Sequence, residues 1–495
     1  MVSDALREER LKHLERLREL GINPYPTRCK RSHSTQQVQG EFQNLAIGEE
    51  SKTKVCVAGR ITGRRVMGGA SFFDLTDGSG RIQVHATKDN LGADRFELFN
   101  GMETGDFLSA EGIVFRTKRG ELSVRLEKFE VLAKAIRPLP EKWHGLKDTE
   151  IRYRQRYLDL LSNEESRQAF MTRSRLIQTM RRVLDEKGFL EVETPILQPL
   201  YGGAFARPFT TFHNELKQQL YLRISDELYL KRLIVGGYER VYEIGKDFRN
   251  EGVSTKHNPE FTMMECYQAY ADYNDMMALT EELIFGIANA LGKVKLHYQG
   301  YDIDLTPPWP RVQLRTAILE RAGIDIEEHC DLTRLQQAIR AKGLPVDKKP
   351  NWGQLVDELF GRYVEPHLVQ PIFLIDYPIE ISPLAKKKAD QPHLVERFEV
   401  FMAGREMGNS FTELNDPLDQ RARFEEMERL RKAGDEEAQV LDEDFLIAME
   451  HGMPPTGGLG IGVDRLAMLF TNAPSIRDVT LFPALRKREE SEGEM

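Results

Sequence analysis

Residues 5–21, ALREERLKHLERLRELG, place Leu6, Leu11, Leu14, Leu17 and Leu20 near helical spacing, and Gly21 with the following NPYP stops the helix. A loose polar stretch covers 27–52. From 54 to 136 the pattern turns short and alternating, as strands with two different faces require. The runs are KVCVAGRITGRRV, ASFFDLTD, GRIQVHATK, DFLSAEGIVFRT and ELSVRLEKFEVLA, punctuated by MGG, DGSG and KRGE. A helical piece, NLGADRFELFN, falls between the third and fourth runs. Residues 137–161 read as a Pro-rich linker entering a helix. Beyond lies one large region without βαβ alternation or internal repeat. Its strand runs include RVYEIGKDF, EFTMMECYQAYA and RFEVFMAGREMGNSFTELND, and a helical insertion at about 310–370 interrupts them.

Five strands with a helix in that position predict a small barrel of the oligonucleotide-binding (OB-fold) type. Such barrels stack bases on exposed aromatics inside a basic rim. Arg64, Arg65, Phe72, Gln83 and Glu121 are candidates for that face. Taken singly, Phe72 reads as core and Gln83 as plain surface; the barrel context is what raises them. The expected organisation is an N-terminal helical extension (1–50), the barrel (51–137), a linker (138–160) and an α+β domain (161–495). The N-terminal helix reads as packing on its own protein, with Lys12, Arg16 and Arg18 as an alternative helper patch for a polyanion.

Composition narrows the classes. The 495 residues are 40% hydrophobic and 30% charged, with a net charge of −9. A sizeable core is therefore available, and nucleic-acid contact must come from local patches. Cys29, Cys56, Cys266 and Cys330 are scattered, which argues against a disulfide framework or a zinc site. No apolar run is long enough for a membrane span, and the charged N-terminus does not read as a signal peptide, so the expected location is cytoplasmic with no membrane partner.

The chemistry concentrates in three segments. In FRNEGVSTKHNPEFTMMECY (248–267), alternation puts Phe261, Met263, Glu265 and Tyr267 on one face and Thr262, Met264, Cys266 and Gln268 on the other. In RFEVFMAGREMGNSFTELND (397–416), Asn409, Phe411 and Glu413 share a face. Glu399 and Glu406 flank the turn, where both reach one hard cation such as Mg²⁺ or are simply solvated. In GGLGIGVDRLAMLF (457–470), the glycines let a ligand approach the backbone, Asp464 is positioned to cap the next helix, and Arg465 in its first turn suits phosphate. The spacing excludes a Rossmann fingerprint.

With GFLEVETPIL (188–197), these segments in order resemble the three motifs of the class II aminoacyl-tRNA synthetases. RYRQRYLDL, GGAFARPF and GNSFTELND are similar to the lysine-specific members of subclass IIb. The resemblance implies an antiparallel sheet flanked by helices, a homodimer, and activation of L-lysine by ATP to lysyl-adenylate and pyrophosphate. Transfer to the terminal adenosine of tRNA(Lys) would follow. It implies that Arg249 and Arg465 are catalytic, the first holding the α-phosphate and the lysine carboxylate, the second the γ-phosphate with His257. Phe261 would stack on adenine, Glu251 and Asn258 would orient the nucleotide, and Glu399 and Glu406 would bind Mg²⁺. Gly203, Glu227 and Glu265 would serve the α-amino end, with Tyr267, Asn409, Phe411 and Glu413 around the lysine side chain and no fixed cation nearby. The anticodon face would use Arg64, Phe72, Gln83 and Glu121. Phe205 departs from the family, which usually has a smaller residue there.

Two rival readings are a lysine-activating enzyme that modifies a protein and a non-catalytic tRNA-binding paralogue. The barrel argues against the first, and the presence of Arg249, Glu406 and Arg465 against the second.

Overall fold

The computed structural model describes residues 4–140, 146–432 and 440–487. The chain divides into two compact units, Met1–Gly145 and Leu146–Met495.

In the first unit the helix Asp4–Glu19 buries Leu14 and Leu17, while Leu6 and Leu20 stay exposed. Arg10 fixes this helix to its own unit by donating to the carbonyls of Ala135 and Thr104, each at 3.1 Å. Lys12, Arg16 and Arg18 are exposed. The polar stretch that follows is not loose throughout. Ser34 and Gln37 form a capping box that starts a short helix, Thr35–Glu41.

The strands β1 (Glu50–Met67), β2 (Ala70–Thr76), β3 (Arg81–Thr87), β4 (Phe107–Arg116) and β5 (Leu122–Ala133) close into a barrel in the order β1-β2-β3-β5-β4. Inward positions such as Val57, Phe73, Val84 and Leu126 are buried. Phe99, from the helix Ala93–Asn100, stacks on Phe73 with centroids 4.1 Å apart. The five runs and the intervening helix read from the sequence are all present.

The second unit adds β6 (Leu190–Glu191), β7 (Leu197–Gln198), β8 (Thr210–His213), β9 (Gln218–Leu222), β10 (Arg240–Phe248), β11 (Glu260–Ala269), β12 (Lys295–Tyr298) and β13 (Tyr301–Asp304). It continues with β14 (Arg311–Gln313), β15 (Ile372–Pro378), β16 (Leu394–Met402), β17 (Arg405–Thr412) and β18 (Thr456–Gly462). Eight of these form one sheet, in the order β14-β15-β16-β17-β18-β11-β10-β6. The interior pairs are antiparallel, and the two edge pairs, β14 with β15 and β6 with β10, are parallel. The expectation of no βαβ alternation fails at one place, because β14 and β15 are parallel and joined through helices.

One sheet face is covered by the helices Glu164–Glu186 and Tyr273–Leu291. Their Leu176, Met180, Leu283 and Ile287 pack with Met264, Cys266, Leu459 and Ile461 of the sheet. The insertion expected at 310–370 opens with β14, a strand of the main sheet. Its helices Leu314–Ala322, Leu332–Ala341 and Trp352–Tyr363 build a separate core around Ile318, Leu335 and Leu359.

Part of the stretch expected as linker is structured. Helices span Thr149–Arg154 and Arg156–Ser162, and buried Arg156 pairs with Asp159 at 2.6 Å and donates to the Arg477 carbonyl at 2.7 Å. Residues 141–145 of that stretch lie outside the described residues. Among the described residues no helix is long and apolar enough to cross a membrane. The described cysteines are free, although Cys29 and Cys56 lie close enough that the Cys29 charge, after burial, helps push the Cys56 thiol up to about 11.

Candidate active site

Alternation along β11 sends Met264 and Cys266 into the helix-covered core and turns Phe261, Met263, Glu265 and Tyr267 the other way. These four, with Asn409, Phe411 and Glu413, line a cavity of about 330 Å³. The glycines of β18 lie between them: Gly458 opposite Tyr267 and Phe411, Gly460 opposite Glu265 and Asn409. A Cβ on Gly458 would sit 2.0 Å from Glu413 Oε1 and 2.6 Å from Tyr267 Cε1. The room expected for a ligand beside the backbone is thus used at this position by a carboxylate and a phenol of the protein.

One end of the cavity is acidic. Ser225 Oγ donates to Glu265 Oε1 at 2.9 Å and Tyr267 Oη to Glu265 Oε2 at 3.0 Å. Gly203 is in the left-handed region (φ 88°), and a Cβ there would lie 2.8 Å from Ser225 Oγ. Burial, reinforced by Asp247 and Glu227, pushes Glu265 up to about 8. Asp226, Asp247 and Glu265 bring carboxylate oxygens within 4.8 Å of one another. Buried Arg223 answers this charge, 3.3 Å from Asp247 and 2.6 Å from Glu243. A Cβ on Gly245 would occupy the position of the Arg223 guanidinium, which accounts for that glycine within a strand.

Glu227 opens the helix Glu227–Val235, and Glu413 follows the last residue of β17. Both pair with Lys231, which also lies 5.4 Å from the Phe411 ring centre. This corrects the expectation of no fixed cation near the side-chain pocket.

The opposite end carries arginines. Arg249 follows β10, donates its backbone N–H to the Pro259 carbonyl at 2.9 Å, and lies 5.1 Å from the Phe261 ring centre. Arg465 Nη1 donates to both the carbonyl and Oε2 of Glu406 at 2.9 Å. Asp464 does not cap the helix Val463–Thr471, which begins at Gly462 without a side-chain cap. It accepts instead from the Thr262 N–H at 2.7 Å and from Arg173 at 2.6 Å, tying helix to sheet. In the hairpin loop, His257 pairs with Ser254 Oγ at 3.1 Å, and burial with the Arg465 charge lowers its pKa. Asn258 is buried and donates to the Glu260 carbonyl at 2.5 Å, whereas Glu251 is exposed at the cavity edge.

The β16–β17 hairpin turns on Ala403 and Gly404, both at positive φ. Its Glu399 and Glu406 face this end, half-buried rather than solvated. Burial, offset by Arg397 and reinforced by Glu406 and Asp357, raises Glu399 to about 7. Arg397 went unnoticed in the sequence. Its guanidinium joins the two ends, donating to Asn409 Oδ1 at 2.9 Å and to Glu399 Oε1 at 2.6 Å. Phe205 lines both this cavity and an adjoining one that reaches Asp357 and Glu365 of the insertion.

On the barrel the candidates separate. Phe72 is half-exposed outside the core and stacks on His85, with centroids 4.5 Å apart. Gln83 is buried, not plain surface, and donates to Glu121 Oε2 at 3.1 Å. The β1–β2 register places Arg65 opposite Phe72, while Arg64 pairs with inward Phe73 and donates to the Asn100 carbonyl at 2.9 Å. Arg65 therefore shares the Phe72 face in place of Arg64. His85 and Phe115, 5.7 Å apart, extend the aromatic strip and were not read from the sequence.

An eight-stranded sheet carrying opposed clusters of carboxylates and arginines, in a chain that also holds a five-stranded barrel, is the architecture of a class II synthetase. Residues 148–486 match the family of class II tRNA synthetases (D, K and N), and residues 55–132 match the OB-fold nucleic acid binding domain. The chain belongs to the class II tRNA synthetase family. Within it, the chain is 58% identical over 492 residues to the lysine–tRNA ligase of Roseiflexus sp. (strain RS-1), covering 99% of this chain and 100% of that one. It is 55% identical to the lysine–tRNA ligase of Chloroflexus aurantiacus over 98% of this chain and 99% of that one. The lysine–tRNA ligase of Dehalococcoides mccartyi is 50% identical over 99% of both chains.

Proposed function

We propose that this chain is a lysine–tRNA ligase: it joins L-lysine to ATP as lysyl-adenylate, releasing pyrophosphate, and then transfers lysine to tRNA(Lys). The observation that carries the substrate is the acidic end of the cavity, where Glu227, Glu265 and Glu413 converge opposite the arginines. An amino acid with two ammonium groups fits that end, and a triphosphate fits the other.

The lysine carboxylate is ionised at neutral pH and attacks the α-phosphorus as pyrophosphate leaves, so no general base is needed. Catalysis is then placement and charge stabilisation. Arg249 holds the lysine carboxylate against the α-phosphate, and Phe261 stacks on adenine against Arg465. Arg465, fixed by Glu406, takes the far phosphates with His257, while Glu251 and Asn258 shape the nucleotide loop. In the second step a ribose hydroxyl of the tRNA terminus attacks the adenylate carbonyl and AMP departs.

Glu399 and Glu406 suit a hard cation. They are crowded acceptor-only groups, and the burial and mutual repulsion that raise Glu399 would be relieved by a bound positive charge. Mg²⁺ held there would supply charge neutralisation along the triphosphate. On the barrel, Phe72 with Arg65, Gln83 and Glu121 would receive anticodon bases.

The segment 188–197 supports a homodimer. Leu190, Ile196 and Leu197 expose 48%, 43% and 49% of their surface beside the edge strand β6. Ile196→Asp should shift the protein to monomer in sedimentation equilibrium; an unchanged mass would remove this face from the interface.

Pyrophosphate exchange with lysine, aspartate or asparagine tests the amino acid, and charging of tRNA tests the acceptor. Exchange that follows aspartate or asparagine would overturn the lysine assignment. Lysine exchange without tRNA charging would overturn the ligase assignment.

A further inference from the structure

Lys231 sits in the helix Glu227–Val235, fully buried. The cavity wall in front of it is made by Glu227, Phe411 and Glu413. Its ammonium pairs with both carboxylates and lies 5.4 Å from the Phe411 ring centre. A buried lysine is costly unless paired, and here both partners are themselves buried. Glu413 Oε2 faces Lys231, and Glu413 Oε1 has no hydrogen-bond partner among the described residues. That oxygen projects into the space that Gly458 leaves open.

We propose that Lys231 is a positioning and specificity-determining residue: from behind the cavity wall it holds Glu227 and Glu413 as carboxylates and sets the pocket's charge to fit an amino acid with two ammonium groups. This rests on the lysine-ligase reading above.

The charge count is direct. Once ionised, Glu227, Glu265 and Glu413 bring three negative charges and Lys231 one positive, so two more positive charges complete the set. Behind the same wall Arg223 pairs with Asp247 and Glu243, while burial, Glu265 and Asp247 drive Asp226 toward its neutral acid. The groups that face the pair are Glu227 from its own helix, Glu265 and Tyr267 from β11, and Arg397 from β16, which acts on Glu227. Burial, Glu227 and Glu265 drive Glu413 toward its neutral acid, and Lys231 is the cation opposing them. Without Lys231 the carboxylates would take up protons and cease to bind ammonium.

The test is lysine-dependent pyrophosphate exchange by the full chain and its Lys231→Met variant, which keeps the length of the side chain. Lysine KM should rise about tenfold or more, with the KM for ATP within about twofold. The ratio of variant to wild-type lysine KM should fall as pH rises from about 6.5 to about 8.5, because higher pH restores the carboxylates. A packing defect would give a ratio independent of pH. The double variant Lys231→Met/Glu413→Gln, which removes both charges, should show a lysine KM close to that of Glu413→Gln alone.

A lysine KM for Lys231→Met within about threefold of wild type, a pH-independent ratio, or an additive double variant would each overturn the proposal. If Lys231→Met does not fold by circular dichroism, the double variant alone decides. Wild-type protein without lysine-dependent exchange would instead overturn the functional reading on which the proposal stands.

Discussion

The barrel face and the synthetase cavity are both recognition surfaces, and they are built from opposite materials. On the barrel the proposed recognising group is a half-exposed ring, Phe72, stacked on His85 and flanked by Arg65. In the cavity the proposed recognising groups are ions: buried Glu227, Glu265 and Glu413 on one side, half-buried Arg249 and Arg465 on the other. A ring that loses a stacking partner is rehydrated at modest cost, whereas a buried charge that loses its partner has no solvent to turn to. The cavity should therefore discriminate sharply and the barrel more gently, and substitutions at the two places should differ in size and in the step they affect.

The largest effect is expected at Glu413. Glu413→Gln keeps the shape but removes the charge from a buried pair, a change worth about 3–5 kcal/mol. Lysine KM should rise roughly a hundredfold or more while the ATP KM holds. A change below about threefold in a folded variant would refute the assignment of the ε-ammonium to this carboxylate. Next comes Glu406→Gln, which removes a proposed oxygen ligand of Mg²⁺ and the partner of Arg465. The Mg²⁺ concentration needed for half-maximal adenylate formation should rise about tenfold. An unchanged Mg²⁺ titration would show that this carboxylate serves Arg465 alone.

Phe72→Ala should cost about 1–3 kcal/mol of tRNA binding and leave tRNA-independent exchange near normal. Equal loss of both activities would erase the contrast between ring and charge. The smallest effect concerns pH. Glu265, raised to about 8 by burial, Asp247 and Glu227, is neutral at low pH and must ionise to hold an ammonium group. Lysine binding should then release protons, and lysine KM should fall as pH rises from about 6.5 to about 8, by no more than about tenfold per unit for one group. Calorimetry in buffers of different ionisation enthalpy reads the proton release directly. In Glu265→Gln this share of the pH dependence should vanish.

The sequence determined more of the barrel than of the cavity. Alternation and turn residues are local, so the five runs, the helix between the third and fourth, and the hairpin of β10 and β11 were all legible. Alternation also sorted β11, with Glu265 and Tyr267 toward the cavity and Met264 and Cys266 toward the helices. Local pattern also misled in places. Gln83 read as surface because its partners Glu121 and Ser123 lie at the start of another strand, distant in the chain. Asp464 read as a cap because the N–H it satisfies belongs to distant β11.

What only the tertiary structure decided is where the compensating cations stand. Lys231, Arg223 and Arg397 belong to a helix, a strand border and a strand; local spacing pairs Lys231 with Glu227 and Arg397 with Glu399 but carries no sign of Glu413, Asp247 or Asn409. Lys231 meets Glu413, Arg223 meets Asp247 and Arg397 meets Asn409 only when different elements pack together. Strand and turn choice follows from the nearest neighbours along the chain and is therefore written locally. The ionisation of a buried group follows from every charge and every water-excluding side chain around it in space. For that reason the carboxylates of this site were readable one by one, while the fixed ammonium behind them became visible only in the fold.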